Sequence, residues 1–218
     1  MKKILIFLSF LVAVCLALTG CSDESEPFEA KSYTPDVPVS GIKVDVQDRA
    51  IQVTLSEDQN VHLHYSENSK EYYDIAVSDD NILTVTGASD KELSDYVGGK
   101  PSDEDRKISI QIPDSMLDSL TISTTNDDIS LDALSVNGGI SLSSNGGNIS
   151  FGSLGAGKAI SLETKNGNID GTVSGNWDDY AIRSQVKKGD CNLPELKEGG
   201  SKTLDVSANN GDIYIEIA

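Results

Sequence analysis

Apolar and polar residues alternate in the second half of the chain, within units that recur about every twenty residues. Ile160 and Leu162, for example, are separated by Ser161 and followed by Glu163. Alternation of this kind places successive side chains on opposite faces of a β-strand, one of which is buried. The units read LTISTTNDDI, ISLSSNGGNI, ISLETKNGNI, IRSQVKKGDC and LDVSANNGDI and begin at residues 120, 140, 160, 182 and 204.

Alignment of the five units brings like residues into columns, which is typical of repeat proteins made of stacked coils. The column that begins each unit holds Leu120, Ile140, Ile160, Ile182 and Leu204, and the column after the turn holds Ile129, Ile149, Ile169, Cys191 and Ile213. The pattern predicts an all-β fold: a single-stranded β-helix or β-solenoid with about five coils of 20 to 22 residues. Each coil is expected to stack on the preceding one, about 4.8 Å away.

A turn of the form Asn-Gly-Asx-Ile closes most units, which predicts a bend at the same corner of every coil. Glycine provides the backbone freedom that such a corner requires, so we predict structural turn residues at Gly147, Gly167, Gly189 and Gly211. The Asx residues that follow, at 128, 148, 168, 190 and 212, are predicted to cap the corner with their side chains. A calcium ladder is the alternative, but calcium-binding β-rolls repeat every nine residues.

The region from about Val39 to Pro113 also alternates, less regularly, and predicts further strands. Its segments are IKVDVQD, AIQVTLSED, NVHLHYSEN, YYDIAVSDD, ILTVTG and KISIQIP. A polar stretch between the last two predicts a surface excursion, with one helical turn around Lys91 to Tyr96.

The N-terminus has the pattern of an export signal, in which Lys2 and Lys3 precede an apolar run of about 15 residues, fewer than a membrane-spanning helix needs. The LTGC that follows resembles the lipobox of bacterial lipoproteins, which implies lipid attachment at Cys21. We therefore predict a signal peptide over 1–20, a lipidated Cys and flexible acidic linker over 21–37, an N-terminal β region over 38–116 and β-solenoid repeats over 117–218. A diacylglyceryl group is sufficient for stable membrane anchoring.

Charge and cysteine content narrow the function classes. The full chain has a net charge of −18, and without the signal 15 basic and 35 acidic residues remain, a net charge of −20. Such a chain repels nucleic acid, and its acidity is explained either by the solubility of an exported protein or by attraction of cations. With Cys15 in the signal and Cys21 lipidated, Cys191 has no disulfide partner within the chain and is expected to be a small buried hydrophobe.

Two groups of residues could carry chemistry. His62 and His64 share one face of a strand, but Val61, Leu63 and Tyr65 alternate with them and favour the buried face, so we expect a solvated pair and no metal site. Asp178 and Asp179, beside Trp177 and Tyr180, are the most site-like acids, although an ordinary loop explains them equally well. The sequence contains no phosphate-binding loop, nucleophile elbow or zinc spacing, and we predict no catalytic residues and no cofactor.

Three features of the chain together resemble a family of bacterial adhesin-like envelope proteins. They are the lipobox, the IxIxIP segment ending at Pro113, and the LxIxTxNxDI unit whose repeats end at NGDIYI. The similarity covers about Val39 to Ala218 and departs from the family pattern at NDDI and at Cys191. It implies a β-solenoid and a role in surface attachment or envelope stress, without defined catalytic residues. We expect a lipid-anchored, extracytoplasmic protein that binds a surface glycan, protein or cationic peptide. The alternatives are a stress sensor for cationic peptides or metal ions, and a polysaccharide-active β-helix enzyme.

Overall fold

The computed structural model describes residues 26–92, 100–115 and 117–218. These residues form β-strands joined by turns, with a single 3₁₀ turn at Trp177–Asp179, so the all-β prediction is confirmed. Across this part of the chain, no helix is long and apolar enough to cross a membrane.

The described residues form eighteen strands. In order they are β1 Glu29–Tyr33, β2 Gly41–Asp45, β3 Ala50–Leu55, β4 His62–Glu67, β5 Glu71–Val77, β6 Ile82–Ser89, β7 Lys107–Ile112, β8 Ser119–Thr124, β9 Ile129–Leu131, β10 Leu134–Val136, β11 Gly139–Ser144, β12 Ile149–Ala156, β13 Ala159–Asn166, β14 Ile169–Val173, β15 Tyr180–Lys188, β16 Leu196–Lys197, β17 Lys202–Asn210 and β18 Ile213–Ile217.

The strands belong to two nine-stranded sheets. The first, called sheet A here, has the order β1-β4-β7-β3-β9-β12-β14-β18, with β10 also beside β12. The second, called sheet B, has the order β16-β15-β17-β13-β11-β8-β2-β6-β5. A coil consists of one sheet B strand followed by one sheet A strand, so the chain alternates between the sheets as it winds.

Parallel pairing in exact register brings the predicted columns together in the middle of the stack. Ile140 pairs with Leu120 on one side and with Ile160 on the other, twenty residues away in each direction. Along β11 every second residue is buried, beginning with Ile140. The inward faces of the two sheets form one core of aliphatic side chains that extends from Ile42 to Ile215.

The coils at the C-terminal end of the stack do not follow the sequence order, and the prediction that each coil stacks on its predecessor is wrong there. β17 pairs with β13 and with β15, so Leu204 lies between Ile160 and Ile182. The apolar pattern permits either order, because Ile182 of β15 and Leu204 of β17 are both buried, and the connection through β16 is long enough to bring β17 beside β13.

The N-terminal strands continue the same two sheets across the boundary predicted at residue 117. Ile42 of β2 pairs with Leu120, and Ile51 of β3 pairs with Ile129. The coil formed by β6 and β7 lies outside the β2–β3 coil, since these strands pair with β2 and β3 on the side away from β8 and β9. The outermost parallel coil is therefore out of sequence order at both ends of the stack.

Part of the segment predicted as a flexible linker over 21–37 is a strand. Residues Glu29–Tyr33 form β1, which pairs antiparallel with β4 at the edge of sheet A. Its side chains are mostly exposed, so the strand lacks the apolar alternation that would have predicted it. The helical turn predicted around Lys91 to Tyr96 lies mainly outside the described residues.

Candidate binding surface

The corner that joins sheet B to sheet A is built from glycines packed on the backbone of the neighbouring coil. A Cβ atom on Gly167 would lie 2.2 Å from the carbonyl oxygen of Gly147, and one on Gly147 would lie 2.0 Å from that of Asp127. Gly211 meets Gly167, and Gly189 meets Gly211, in the same way. Gly189 and Gly211 also have positive φ angles of 140° and 147°. At Gly147 and Gly167 the close approach of the coils, and not φ, excludes a side chain.

The Asx residues beside these glycines form a hydrogen-bonded ladder along the corner. In each step the backbone N–H of one Asx donates to the side-chain oxygen of the Asx in the neighbouring coil, with distances of 2.7 to 2.9 Å. The ladder runs in stack order through Asp128, Asn148, Asn168, Asp212 and Asp190. These bonds confirm a capping role. Within the described ranges, no group of three or more His, Cys, Asp or Glu residues is placed to hold a metal ion.

A column of buried hydroxyl groups supports the same corner, and the sequence analysis missed it. Thr124, Ser144 and Thr164 donate to the carbonyl oxygens of Arg49, Asp127 and Gly147 at 2.8, 3.1 and 3.0 Å. Each hydroxyl satisfies a carbonyl of the neighbouring coil that would otherwise be buried without a partner. The sequence does contain a signal for this column, because Ser or Thr recurs two residues after Ile122, Leu142 and Leu162.

The outward face of sheet A carries a continuous line of polar side chains along the stack. The pairing registers place six residues in one row across neighbouring strands, called the outward row here: Ser109, Gln52, Ser130, Ser150, Asp170 and Tyr214. Tyr214 is 58% exposed. A depression of about 260 Å³ lies along the middle of the row, and Asp132 and Gly152 form part of its wall.

The two histidines face outward, as predicted. Leu63 between them is fully buried. The His62 ring lies 3.0 Å from Asp58 Oδ1 and 2.9 Å from Thr34 Oγ1. The pKa of Asp58 is well below its usual range, mainly because the backbone N–H of Asn60 donates to its carboxylate.

The structure separates the residues of the acidic cluster at the 3₁₀ turn. Asp179 accepts hydrogen bonds from the backbone and side chain of Asn176, and the backbone bond lowers the pKa of its carboxyl. Tyr180 is fully buried, and its hydroxyl donates to the carbonyl of Ser174 at 2.7 Å. Trp177 remains 46% exposed, with Lys197 Nζ 5.6 Å from its ring centroid. Asp179 therefore caps the turn, and Tyr180 cannot stack against a ligand.

A buried ion pair near the N-terminal end of the stack was also missed. The Arg49 guanidinium donates to Glu71 at 2.8 Å and to the Tyr73 hydroxyl at 2.7 Å, and Lys91 also pairs with Glu71. The side chains of Arg49 and Glu71 are 7% and 12% exposed. Burial alone would raise the pKa of Glu71, but the hydrogen bonds from the two cations lower it below its ordinary value. The cluster joins the corner before β3 to β5.

The opposite end of the stack is closed by one neutral side chain. The Asn192 amide donates to the carbonyl of Ile215 at 2.8 Å and accepts from the N–H of Ile215 at 2.9 Å, as a neighbouring strand would. Cys191 pairs with Ile213, so it lies in the predicted column. Its thiol is only partly buried, 3.5 Å from the Ser184 hydroxyl. Cys21, the predicted lipidation site, lies outside the described residues.

Comparison with known proteins gives a family and a fold. A structure of a candidate cell adhesion protein from Clostridium sporogenes is 12% identical, with a TM-score of 0.54, over 88% of this chain and 100% of that one. A candidate adhesin from Bacteroides fragilis is 16% identical, with a TM-score of 0.43, over 89% and 98% of the two chains. No curated protein matches the sequence.

The family comparison covers more than half of the chain. The profile of the Toastrack DUF4097 family matches residues 39–157, which include strands β2 to β12 and the first two repeat units. The chain therefore belongs to the Toastrack DUF4097 family.

Proposed function

We propose that this protein is a lipid-anchored envelope protein that binds its partners without catalysis, through the outward faces of its stacked coils. The observation that carries the proposal is the outward row, an exposed polar line on a frame fixed by the corner ladder and the apolar core. A rigid frame lowers the entropy that ordering of the surface would cost on binding.

The position of the N-terminal strand fits an anchored protein. β1 and β18 are the first and last strands in the order of sheet A. A chain held at Cys21 thus enters the domain at one end of the stack, and the outward row extends from there toward the other end. The proposal includes an extracytoplasmic location, lipid anchoring at Cys21 and coils of 20 to 22 residues.

Binding without catalysis is favoured by the surroundings of the candidate acids. Asp179 caps a turn, and the fully buried Tyr180 leaves no aromatic pair beside the two carboxylates. The similarity to a candidate cell adhesion protein supports the same role. The net charge of −20 left after removal of the signal favours cationic partners, and it supports sensing of cationic peptides as the second candidate function.

The anchor is tested by Cys21→Ala in the full-length protein. We expect the variant to lose labelling by a palmitate analogue and to leave the membrane fraction or remain uncleaved, while Cys191→Ala keeps both label and location. Labelling of Cys21→Ala equal to that of the natural chain would contradict the proposal.

Binding is tested with the full-length lipoprotein in mild detergent, screened against glycans, cationic peptides and metal ions. We expect saturable binding of a polymeric partner that weakens as salt rises and that persists in Asp178→Ala and Asp179→Ala. Turnover of a polysaccharide that either change abolishes would identify an enzyme instead.

A further inference from the structure

The outward row combines hydrogen-bonding groups with one aromatic ring. In the described part of the chain, the side chains of Gln52, Ser150, Asp132 and Asp170 make no hydrogen bond or ion pair with other protein groups. Their polar atoms are free to bind a ligand. Tyr214 stands beside Asp170 at the end of the row, and its hydroxyl lies 3.2 Å from Glu216.

The depression along the row lies where β12 contains an extra residue. The register between β12 and β14 shifts between Phe151 and Ser153, which leaves Gly152 unpaired. Gly152 lines the depression together with Gln52 and Ser130, and a Cβ atom on Gly152 would lie 3.1 Å from the backbone nitrogen of Ala133. A ligand can therefore lie against the face of the sheet, with the small side chains of the row beneath it.

Apart from Lys107 on β7, which lies two residues before Ser109 on the same face, the charged side chains along this row are acidic. None of the five strands β3, β9, β12, β14 and β18 contains Lys or Arg, whereas Asp132, Asp170 and Glu216 all lie on its exposed side. Strands β2, β13 and β15 of sheet B carry Lys43, Lys165, Arg183 and Lys187, and β2, β13 and β17 also carry the acidic Asp45, Glu163 and Asp205. A cationic ligand is therefore better matched by the face of sheet A between β3 and β18 than by the mixed charges of sheet B.

The shape and chemistry of the row select the ligand class. Its six residues lie on neighbouring strands and span about 24 Å along the stack, at the usual strand spacing. Peptides that bind β-sheets usually pair with a strand edge, and this row lies on a sheet face. Serine hydroxyls and an amide hydrogen-bond to sugar hydroxyls, and the apolar face of a pyranose ring packs on tyrosine.

We propose that the outward row binds a linear polysaccharide with free amino groups, with Tyr214 stacked on a sugar ring and Asp170 paired with an ammonium group. Asp132 and Glu216 supply further negative charge, while Gln52, Ser130 and Ser150 bind hydroxyl groups. The inference rests on the proposed function, which it narrows from a polar binding surface to one ligand class and one face.

The test compares three oligosaccharides of equal length with the full-length lipoprotein in mild detergent: a glucosamine oligomer, its N-acetylated form and a cellulose oligomer. We expect the glucosamine oligomer to bind at least about tenfold more tightly than the other two, because only it presents charged donors to the carboxylates. Asp170→Asn and Tyr214→Ala should each weaken its binding by about tenfold.

The matched control is Asp205→Asn, which removes the same charge from an exposed position on sheet B. It should change the affinity less than about twofold. Unchanged melting temperatures would confirm that the variants are folded, which we expect since both Asp170 and Tyr214 are exposed.

The remaining outcomes separate this inference from the proposed function. Equal binding of the three oligosaccharides, or equal losses in Asp170→Asn and Asp205→Asn, would overturn the inference. Binding of a cationic peptide with no binding of glucosamine oligomers would overturn it and leave the proposed function intact. Failure of every glycan, peptide and ion to bind would overturn both.

Discussion

The two ends of the stack solve the same problem by different means. At the N-terminal end, antiparallel strands β4 and β5 cover the last parallel coil, Tyr65 packs edge to face against Tyr73, and Arg49 is buried against Glu71. At the C-terminal end, sheet A stops at β18, whose free edge is occupied by the Asn192 amide and a single bridge from Cys191.

The difference teaches what an end of a parallel stack requires. Its last strand exposes backbone donors and acceptors that would pair with another chain, and its last core layer needs a cover. Added strands meet both needs at one end, at the cost of burying charge. At the other end one amide mimics a strand on sheet A, the short strand β16 covers β15 on sheet B, and Leu193, which is 7% exposed, covers the core. We expect the charged end to be more sensitive to substitution than the neutral end.

The largest loss of stability is expected for Glu71→Gln at the N-terminal end. The change leaves the Arg49 charge buried without its carboxylate partner, and we expect the free energy of unfolding to fall by about 3 to 4 kcal/mol. Urea denaturation measures the loss. The exposed Glu163→Gln serves as control and should cost less than about 0.5 kcal/mol.

The same pair makes stability depend on pH. The folded state lowers the pKa of Glu71, so its contribution is fully present above the unfolded pKa of about 4.3 and is lost as pH falls through the folded value. The stability gap between the natural chain and Glu71→Gln should be constant above about pH 5 and should close below about pH 4. A gap independent of pH would show that packing, and not charge, holds this end.

The corner glycines should distinguish the interior from the C-terminal end. Gly167 is enclosed on both sides, by the Gly147 carbonyl and by Gly211, whereas Gly189 lies in the outermost coil. We expect Gly167→Ala to cost about 2 to 3 kcal/mol, because two coils must separate. Gly189→Ala should cost about 1 to 2 kcal/mol, because the outermost coil can shift to relieve the close contact with the Gly211 carbonyl oxygen and the positive φ remains. Thermal melts compare the two, and equal shifts would show that the outer coil is as fixed as the interior.

Asn192→Ala removes the amide that closes the edge of sheet A. The loss of two hydrogen bonds with Ile215 should cost about 1 to 2 kcal/mol. The uncovered edge should also make the protein self-associate, which sedimentation at several concentrations would detect. Asn209→Ala, on the opposite sheet, is the matched control. A monomeric Asn192→Ala variant would show that the edge needs no cover.

The smallest loss of stability is expected for substitution of Cys191. Because its thiol is partly buried and contacts Ser184, labelling of the native protein should be at least about tenfold slower than labelling in urea. Cys191→Ala should cost less than about 1 kcal/mol. Labelling at equal rates in the two states would place the thiol outside the column that it shares with Ile213.

The sequence predicts the coil but not the order of the coils. Alternation fixes which residues of each strand face the core, and Ile140 and Leu142 are buried as their phase requires. The order is not encoded in that pattern, because Ile182 and Leu204 offer the same apolar surface to β13. Strand β1 was not predicted, because an edge strand with one partner needs little apolar surface.

Sequence-based prediction has the same limit for the outward row. The Ser and Asp positions of the outward row are visible in the repeat units, but Gln52 and Ser109 come from segments outside them. Only the pairing of β3 with β7 and β9 brings these residues into line. The burial of the Arg49 side chain could not be predicted from the sequence, because its partners lie 22 and 24 residues away on another strand.

The out-of-order coil at the C-terminal end has a consequence for synthesis and export. A chain that emerges from its N-terminus presents β15 before β17 and β18, the strands that must lie between it and β13 and β14. Until those last strands arrive, β13 and β14 keep open edges, and a truncated product would expose them to proteases and to other chains. The arrival of β17 and β18 thus closes these edges, and a product truncated before them would differ from the folded protein in its exposed strands.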